Sequence, residues 1–293
     1  MSTGERGRGW WRRLRRAEWV ATLERSLERF GEAEVSDRAA ALAYYTFLSL
    51  FPALIVAVSA LALIGSYPET YESISDTLHE AAPSDAVQTV DSALKNALRD
   101  RGTAGGLLGV GLVLALGSGS GAVAAAIRAL EAIEGRRGAS GLRRGWLARV
   151  GLTLALMGLA LVGFLALVVA GPIFSSLAEA AGLGSGLRSA VSLLRYPVGL
   201  AALFCAFLLL YWRGPVGRRR SPRAYAPGAA VAAALWVLAS AGFSLYVSNF
   251  SSFDATYGTL GAVIVLLIWL YLGNMAFLLG AFFNSERLRA GWR

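Results

Sequence analysis

Residues Ala39–Pro68 read AAALAYYTFLSLFPALIVAVSALALIGSYP, a run without a single charge and with Pro52 near its centre. About 20 helical residues cross a hydrocarbon core of roughly 30 Å, so the run is long enough to span a membrane. In water, a proline inside a helix removes one backbone hydrogen bond and presses on the carbonyl four residues back, here Leu48, at a cost of about 3 kcal/mol. Inside a membrane bundle, neighbouring helices, hydroxyls or water can satisfy that carbonyl. What Pro52 means therefore depends on the class of protein.

Five further runs lack charge: Gly102–Ile127, Val150–Ala178, Tyr196–Trp212, Ala224–Phe253 and Ala255–Ser285. Only 16% of the 293 residues are charged and 56% are hydrophobic, whereas a soluble domain is about one quarter charged. The pattern predicts an all-α polytopic membrane protein with six transmembrane helices, at about 41–65, 105–127, 147–170, 189–212, 225–249 and 258–283. The first run begins at Ala39 and is too long for a signal peptide, so the mature protein is expected to keep it.

Arginine sets the orientation. Residues 1–38 hold nine arginines, 128–149 six, 213–223 five and 284–293 three, which is 23 of the 28 basic residues. The alternate segments 66–101 and 179–195 and Asp254 hold the other five basic residues against nine acids. Positive charge gathers on the cytoplasmic side of membrane proteins. Both termini are therefore expected in the cytoplasm of a bacterial inner membrane. The same rule accounts for the net charge of +9 without specific binding of nucleic acid. Membrane lipids are the expected partners, with anionic headgroups at the arginine clusters.

The chain divides into a cytoplasmic arm 1–38, a membrane domain 39–285 with an outer loop 66–101, and a cytoplasmic tail 286–293. In the arm, Trp19, Leu23, Leu27 and Phe30 recur at helical spacing among charges, which predicts an amphipathic helix. Such a helix suits the membrane surface or a face of the cytoplasmic loops. In the outer loop Pro83 separates two apolar stripes, so two short helices are expected there.

No catalytic, cofactor-binding or metal-ligating group is expected. The chain has one cysteine, Cys205, and one histidine, His79, too few for a Cys/His metal site. Its cytoplasmic acids, Glu131 and Glu134 among them, intermix with arginine as on a solvated face. No acid or base lies well inside any charge-free run, so nothing in the spans looks equipped for ion coupling. Gly105/Gly109 and Gly117/Gly121 form GxxxG pairs, which let helix backbones approach closely in lipid, within one chain or between copies in a homo-oligomer. GSGSG at Gly117–Gly121 lacks the Gly-Lys-Ser/Thr of a phosphate loop.

Polar groups in or near the spans, Asn249, Asn274 and Asn284 among them, need partners. The candidates for a shared polar pocket are Tyr44, Tyr45 and Ser49 beside Pro52, facing Asn249, Tyr257 and Asn274 of the last two spans. The alternative is that each bonds singly between helices and Pro52 is a packing device.

The stretches DRAAALAYYTFLSLFPALIV (Asp37–Val56), PGAAVAAALW (Pro227–Trp236) and YGTLGAVIVLLIWLYLGNMAFLLGAFFN (Tyr257–Asn284) carry a family resemblance. In order and spacing they resemble the YihY/virulence-factor BrkB family of bacterial inner-membrane proteins, from Asp37 to Asn284. The resemblance implies a six-span fold, a part in envelope maintenance and, by suggestion, lipid movement. An older ribonuclease BN label attached to the family finds no catalytic cluster here. Two departures stand out: Gly117–Ser120 replaces a common Trp-Ser-Ala-Ser, and Phe282 replaces an acid in Gly-Ala-Glu-Leu-Asn. Three readings follow. The chain moves lipid-like or amphipathic solutes, it is a non-transporting scaffold for envelope assembly, or, with least support, it is a membrane-bound ribonuclease.

Overall fold

The computed structural model describes residues 21–31, 34–64, 101–135, 146–164, 166, 185–215, 220–248 and 259–290. They are all-helical, as the apolar runs predict. α1 covers 21–31. It is followed by α2 (Val35–Ile64), α3 (Arg101–Ile133), α4 (Trp146–Phe164), α5 (Ser185–Arg213), a 3-10 turn (Pro222–Ala224), α6 (Ala226–Ser248) and α7 (Thr259–Arg289). Helices α2 to α7 are each long and apolar enough to cross a membrane. The outer loop with its expected helices, His79, Trp19, Asn249 and Tyr257 lie outside the described residues.

Several helices outrun their charge-free sequences. α3 continues past Ile127 to Ile133, and α7 continues past Ser285 to Arg289. α5 starts at Ser185, ahead of the expected 189. Helix formation is cooperative, and adding a residue to an existing turn costs little. Charge therefore marks where lipid ends, while the helix runs on. α2 is one continuous element through Pro52.

The six long helices contact one another in chain order, and α7 closes the set against α2. The tightest pairs are α2 with α3 and α6 with α7. Across the set, α3 touches α7 and α5 only lightly. The main apolar core lies at the arginine-rich end: Val35, Ala39 and Leu42 of α2 meet Ala126, Ala129 and Leu130 of α3, Ala229 and Ala232 of α6, and Leu278 and Phe282 of α7. Alanine dominates because small side chains let helices close up where lipid supplies no hydrophobic drive. Away from that end, many described apolar side chains face outwards. Leu48, Phe51 and Leu54 of α2, Leu107, Val110 and Val113 of α3, and Leu238 and Leu245 of α6 are all exposed.

α1 corrects one detail of the amphipathic reading. Its protein-facing side is Thr22 and Ser26, both buried, with Phe30 partly buried against the core, whereas Leu23 and Leu27 are exposed. Ser26 Oγ donates to the Thr22 carbonyl at 2.6 Å, so a small polar face can pack without an unmet hydroxyl. The leucines, left unpacked, suit a lipid surface.

Candidate functional site

The best-packed polar assembly lies at the arginine-rich end, where α1, α3, α5, α6 and α7 meet. It starts from a problem at the first turn of α6. The first N–H groups of a helix have no acceptor within it. Pro227 has no N–H to satisfy. The Gly228 N–H donates to Asn284 Oδ1 of α7 at 3.0 Å, and Asn284 Nδ2 donates to the Tyr225 carbonyl at 3.0 Å. Asn284 thus caps α6 from a different helix, and the two bonds together settle which way its amide points. Three residues on, Arg287 Nη1 donates to the Ala224 carbonyl at 2.9 Å.

Two glycines make this possible. A Cβ on Gly228 would overlap the Gly280 carbonyl oxygen and the Asn284 amide. A Cβ on Gly280 would overlap the Gly228 carbonyl and come within 2.7 Å of Ala232 Cβ and the Tyr211 hydroxyl. Backbone meets backbone here, and no side chain can intervene. Tyr211 of α5, itself buried, donates its hydroxyl to the Phe277 carbonyl at 2.5 Å and stacks on the Phe277 ring with centroids 5.2 Å apart.

α1 fastens onto the same place. Arg29 pairs with Glu286 of α7, and its Nη2 donates to the Ile133 carbonyl at 3.4 Å. A cation at the C-terminal carbonyls of α3 is favourable, because those carbonyls carry the negative end of the helix dipole. The Arg29 guanidinium also lies 5.5 Å from the Phe282 ring centre, and the Phe30 ring meets Phe282 edge-on at 5.9 Å. Phe282 therefore sits under the guanidinium. The acid that pairs with Arg29 is Glu286, one turn further along α7.

A small cleft opens beside this assembly. Its polar lining is Glu134, Tyr211, Tyr225, Asn284 and Ser285, and its volume of about 20 Å³ holds roughly one water molecule. Between the cleft-lining Leu130 and Ile133, Glu131 is only 3% exposed and its Oε1 has no hydrogen-bond partner. This overturns the expectation that Glu131 belongs to a solvated face. α3 carries it into the bundle, because the helix does not stop where the charges resume. Among the described residues, no three of His, Cys, Asp and Glu gather at metal-ligand spacing.

Among the described residues, those around Pro52 are not drawn together by cross-helix bonds. Ser49 Oγ donates to the Thr46 carbonyl at 2.8 Å, and Thr46 Oγ1 donates to the Leu42 carbonyl at 2.8 Å. Asn274 Nδ2 donates to the Leu270 carbonyl at 2.8 Å, within its own helix. Tyr44 is exposed, and its ring meets Tyr45 edge-on at 5.7 Å. The cross-helix bonds lie elsewhere: Ser36 with the Tyr271 hydroxyl at 2.9 Å, and Trp269 Nε1 with Ser240 Oγ at 3.1 Å.

The glycine pairs also fall differently. A Cβ at Gly105, Gly109 or Gly117 would meet nothing within 4 Å, so these three pack no neighbour among the described residues. At Gly121 it would make ordinary contact with Tyr45, at 3.9 Å. The close approaches on α3 are at Gly111, 2.8 Å from Ile55, and Gly119, 3.2 Å from Thr153. GxxxG spacing marks a smooth helix face but does not say which face meets a neighbour.

Residues 26–290 match the family described as Virulence factor BrkB. The chain belongs to that family. Within it, the chain is 32% identical over 269 residues to the Putative ribonuclease-like protein YfkH of Bacillus subtilis (strain 168), covering 91% of this chain and 94% of that one. It is also 32% identical over 288 residues to a UPF0761 membrane protein of Chromohalobacter salexigens, covering 94% of this chain and 67% of the other. A UPF0761 membrane protein of Alkalilimnicola ehrlichii is 32% identical over 265 residues, and the match spans 56% of its length. No solved structure matches the chain. The BrkB-family match runs through Arg29, Glu131, Gly228, Gly280, Asn284 and Glu286, so the whole assembly lies within it.

Sequence reading singled out Asn284 as a polar group in need of a partner, which was the right signal. It missed Gly228, Gly280 and Tyr211, whose roles depend on a neighbour that spacing does not reveal.

Proposed function

We propose that this BrkB-family protein moves lipid-like or amphipathic solutes across a bacterial inner membrane, with its arginine-rich end in the cytoplasm. The observation that carries the reading is the pinning of the helices at one end. The helices are locked together at the arginine-rich end by the Gly228–Gly280 contact, the Asn284 cap and the Arg29–Glu286 pair. Away from that end, described apolar side chains such as Leu48, Val110 and Leu238 are exposed, as lipid-facing residues are. A bundle pinned together at its arginine-rich end suits one arm of an alternating-access cycle. α2 is the natural moving element, because Pro52 weakens it near its middle.

The test is reconstitution of the purified protein into liposomes carrying fluorescent lipids on one leaflet, with Pro52→Ala alongside. Protein-dependent lipid movement, slowed by Pro52→Ala without loss of folded protein, supports the reading. No movement above protein-free liposomes across several lipid classes sinks it. A second reading has one specific observation behind it. The open face of α3, with Gly105, Gly109 and Gly117, suits a partner helix, as a membrane scaffold would offer.

A further inference from the structure

We infer that the turn joining α5 to α6 binds the phosphate of an anionic lipid in the leaflet at the arginine-rich end. The turn, RGPVGRRRSPR (Arg213–Arg223), holds five arginines and no acid. The chain cannot neutralise this charge by itself. The arginine-rich end as a whole carries 23 arginines against ten acids, so pairing every acid would still leave thirteen arginines over, and the largest local excess is in this turn. Glu286 is already shared by Arg29 and Arg289. Glu134 shares the cleft with Pro215 of the turn, and one acid does not balance five arginines. Like charges crowded into so short a segment repel one another and attract an anion from outside.

The described arginines stand on a fixed frame. The Gly214 N–H donates to the Leu210 carbonyl at 2.8 Å, which ends α5. The Ala224 N–H donates to the Ser221 carbonyl at 2.9 Å, and the Tyr225 N–H donates to the Pro222 carbonyl at 3.0 Å. Arg287 and Asn284 of α7 hold the Ala224 and Tyr225 carbonyls in turn. The 3-10 segment Pro222–Ala224 packs on both α5 and α6, which brings Arg223 back beside α5. Arg213, Arg220 and Arg223 are exposed around this frame. The Arg213 guanidinium lies over the Trp212 ring, 4.1 Å from its centre, and indoles favour the boundary between lipid and water. The general bias of arginine towards one side of a membrane requires neither an ordered turn nor a stacked guanidinium.

Position selects lipid as the source of the anion. The apolar span of α5 ends at Arg213 and that of α6 opens at Ala226, so the segment between them is tethered to the bilayer surface at both ends. Headgroup phosphates are therefore always within reach, and their oxygens accept the paired N–H donors of a guanidinium. The inference stands whether or not the chain moves lipids.

A ligand that binds the folded chain and not the unfolded one stabilises it by mass action. Thermal unfolding of the purified protein is followed in dodecylmaltoside micelles doped with phosphatidylglycerol or, at the same mole fraction, phosphatidylcholine. Wild type is expected to melt several degrees higher with phosphatidylglycerol, and the gap to narrow as NaCl is added. The triple variant R213Q/R220Q/R223Q is expected to lose at least half of the gap. R136Q/R137Q/R143Q removes the same charge from the segment between α3 and α4 and is expected to keep most of it. Equal responses to the two lipids in wild type, or equal losses in the two triple variants, overturn the inference. Soluble glycerol phosphate that raises Tm as much as phosphatidylglycerol would assign a free anion, a single-stranded oligonucleotide that did so would assign nucleic acid, and either result overturns the lipid assignment. Wild type gives a second readout that needs no variant. Phosphatidylglycerol with a photoactivatable diazirine on its headgroup is expected to leave adducts within residues 212–225, located by mass spectrometry. Adducts absent from this turn, or spread evenly over all the arginine segments, overturn the inference.

Discussion

Asn284→Ala tests whether α7 really caps α6. The substitution removes the acceptor of the Gly228 N–H and the donor to the Tyr225 carbonyl. A buried N–H left without a partner costs about 1–3 kcal/mol, in line with roughly 0.5–2 kcal/mol for losing a helix N-cap. The second bond adds less. The Tyr225 carbonyl keeps the Ala229 N–H at 3.2 Å, so its loss falls near the low end of about 0.5–1.5 kcal/mol. The expected destabilisation is therefore about 2–3 kcal/mol. That exceeds the average of about 0.6 kcal/mol for a polar contact between membrane helices, because here a backbone group is orphaned rather than a side chain. Asn284→Asp is expected to lose at least as much, since it keeps the acceptor but turns a carboxylate oxygen towards the Tyr225 carbonyl. Reversible unfolding in mixed detergent–SDS micelles measures the difference. Asn274→Ala is the control, because its amide bonds only within its own helix. The reasoning fails should Asn284→Ala lie within about 0.5 kcal/mol of wild type, the usual range for an uninvolved surface site, or cost no more than the control.

Gly111→Ala should cost about 1–3 kcal/mol by overpacking against Ile55, and Gly109→Ala should leave monomer stability unchanged, since no described residue lies near its Cβ. The same micelle assay separates them, and equal costs would refute the placement of α3. Arg29 and Glu286 should couple by about 1 kcal/mol in a double-mutant cycle, screened by added salt because Arg29 is partly exposed. Additive effects would mean the ion pair does not hold α1. For topology, single cysteines at Ala139 and Ser221 in a Cys205→Ala background should resist an impermeant thiol reagent in intact cells, while one at Ser185 should react. Labelling at Ala139 without lysis would overturn the orientation.

The polar assembly at the arginine-rich end is only partly legible in the sequence. Asn284 stood out because a polar side chain in an apolar run must find a partner. Glu131 did not, because an acid flanked by arginines reads as a solvated face, and burial depends on which way α3 turns as it leaves the membrane. Phe282 looked like a lost acid. In the folded chain Phe282 lies under the Arg29 guanidinium, whose acid partner is Glu286 on the next turn of α7.

The sequence by itself determined the class, the number of spans and the all-helical fold. The reason is that lipid cannot hydrogen-bond backbone, so every uncharged run of sufficient length must close its own hydrogen bonds as a helix. It also carried the arginine alternation, which places α1 and the ends of α3, α5 and α7 together with the start of α6. The tertiary structure alone decided which glycines touch, since GxxxG spacing is blind to the facing helix. It also decided that hydroxyls near Pro52 turn back to their own carbonyls, because a carbonyl one turn away is always within reach while a neighbour's is not. And it decided that Glu131 is buried: helix ends follow cooperative hydrogen bonding, and burial follows packing, and neither stops where the charges begin.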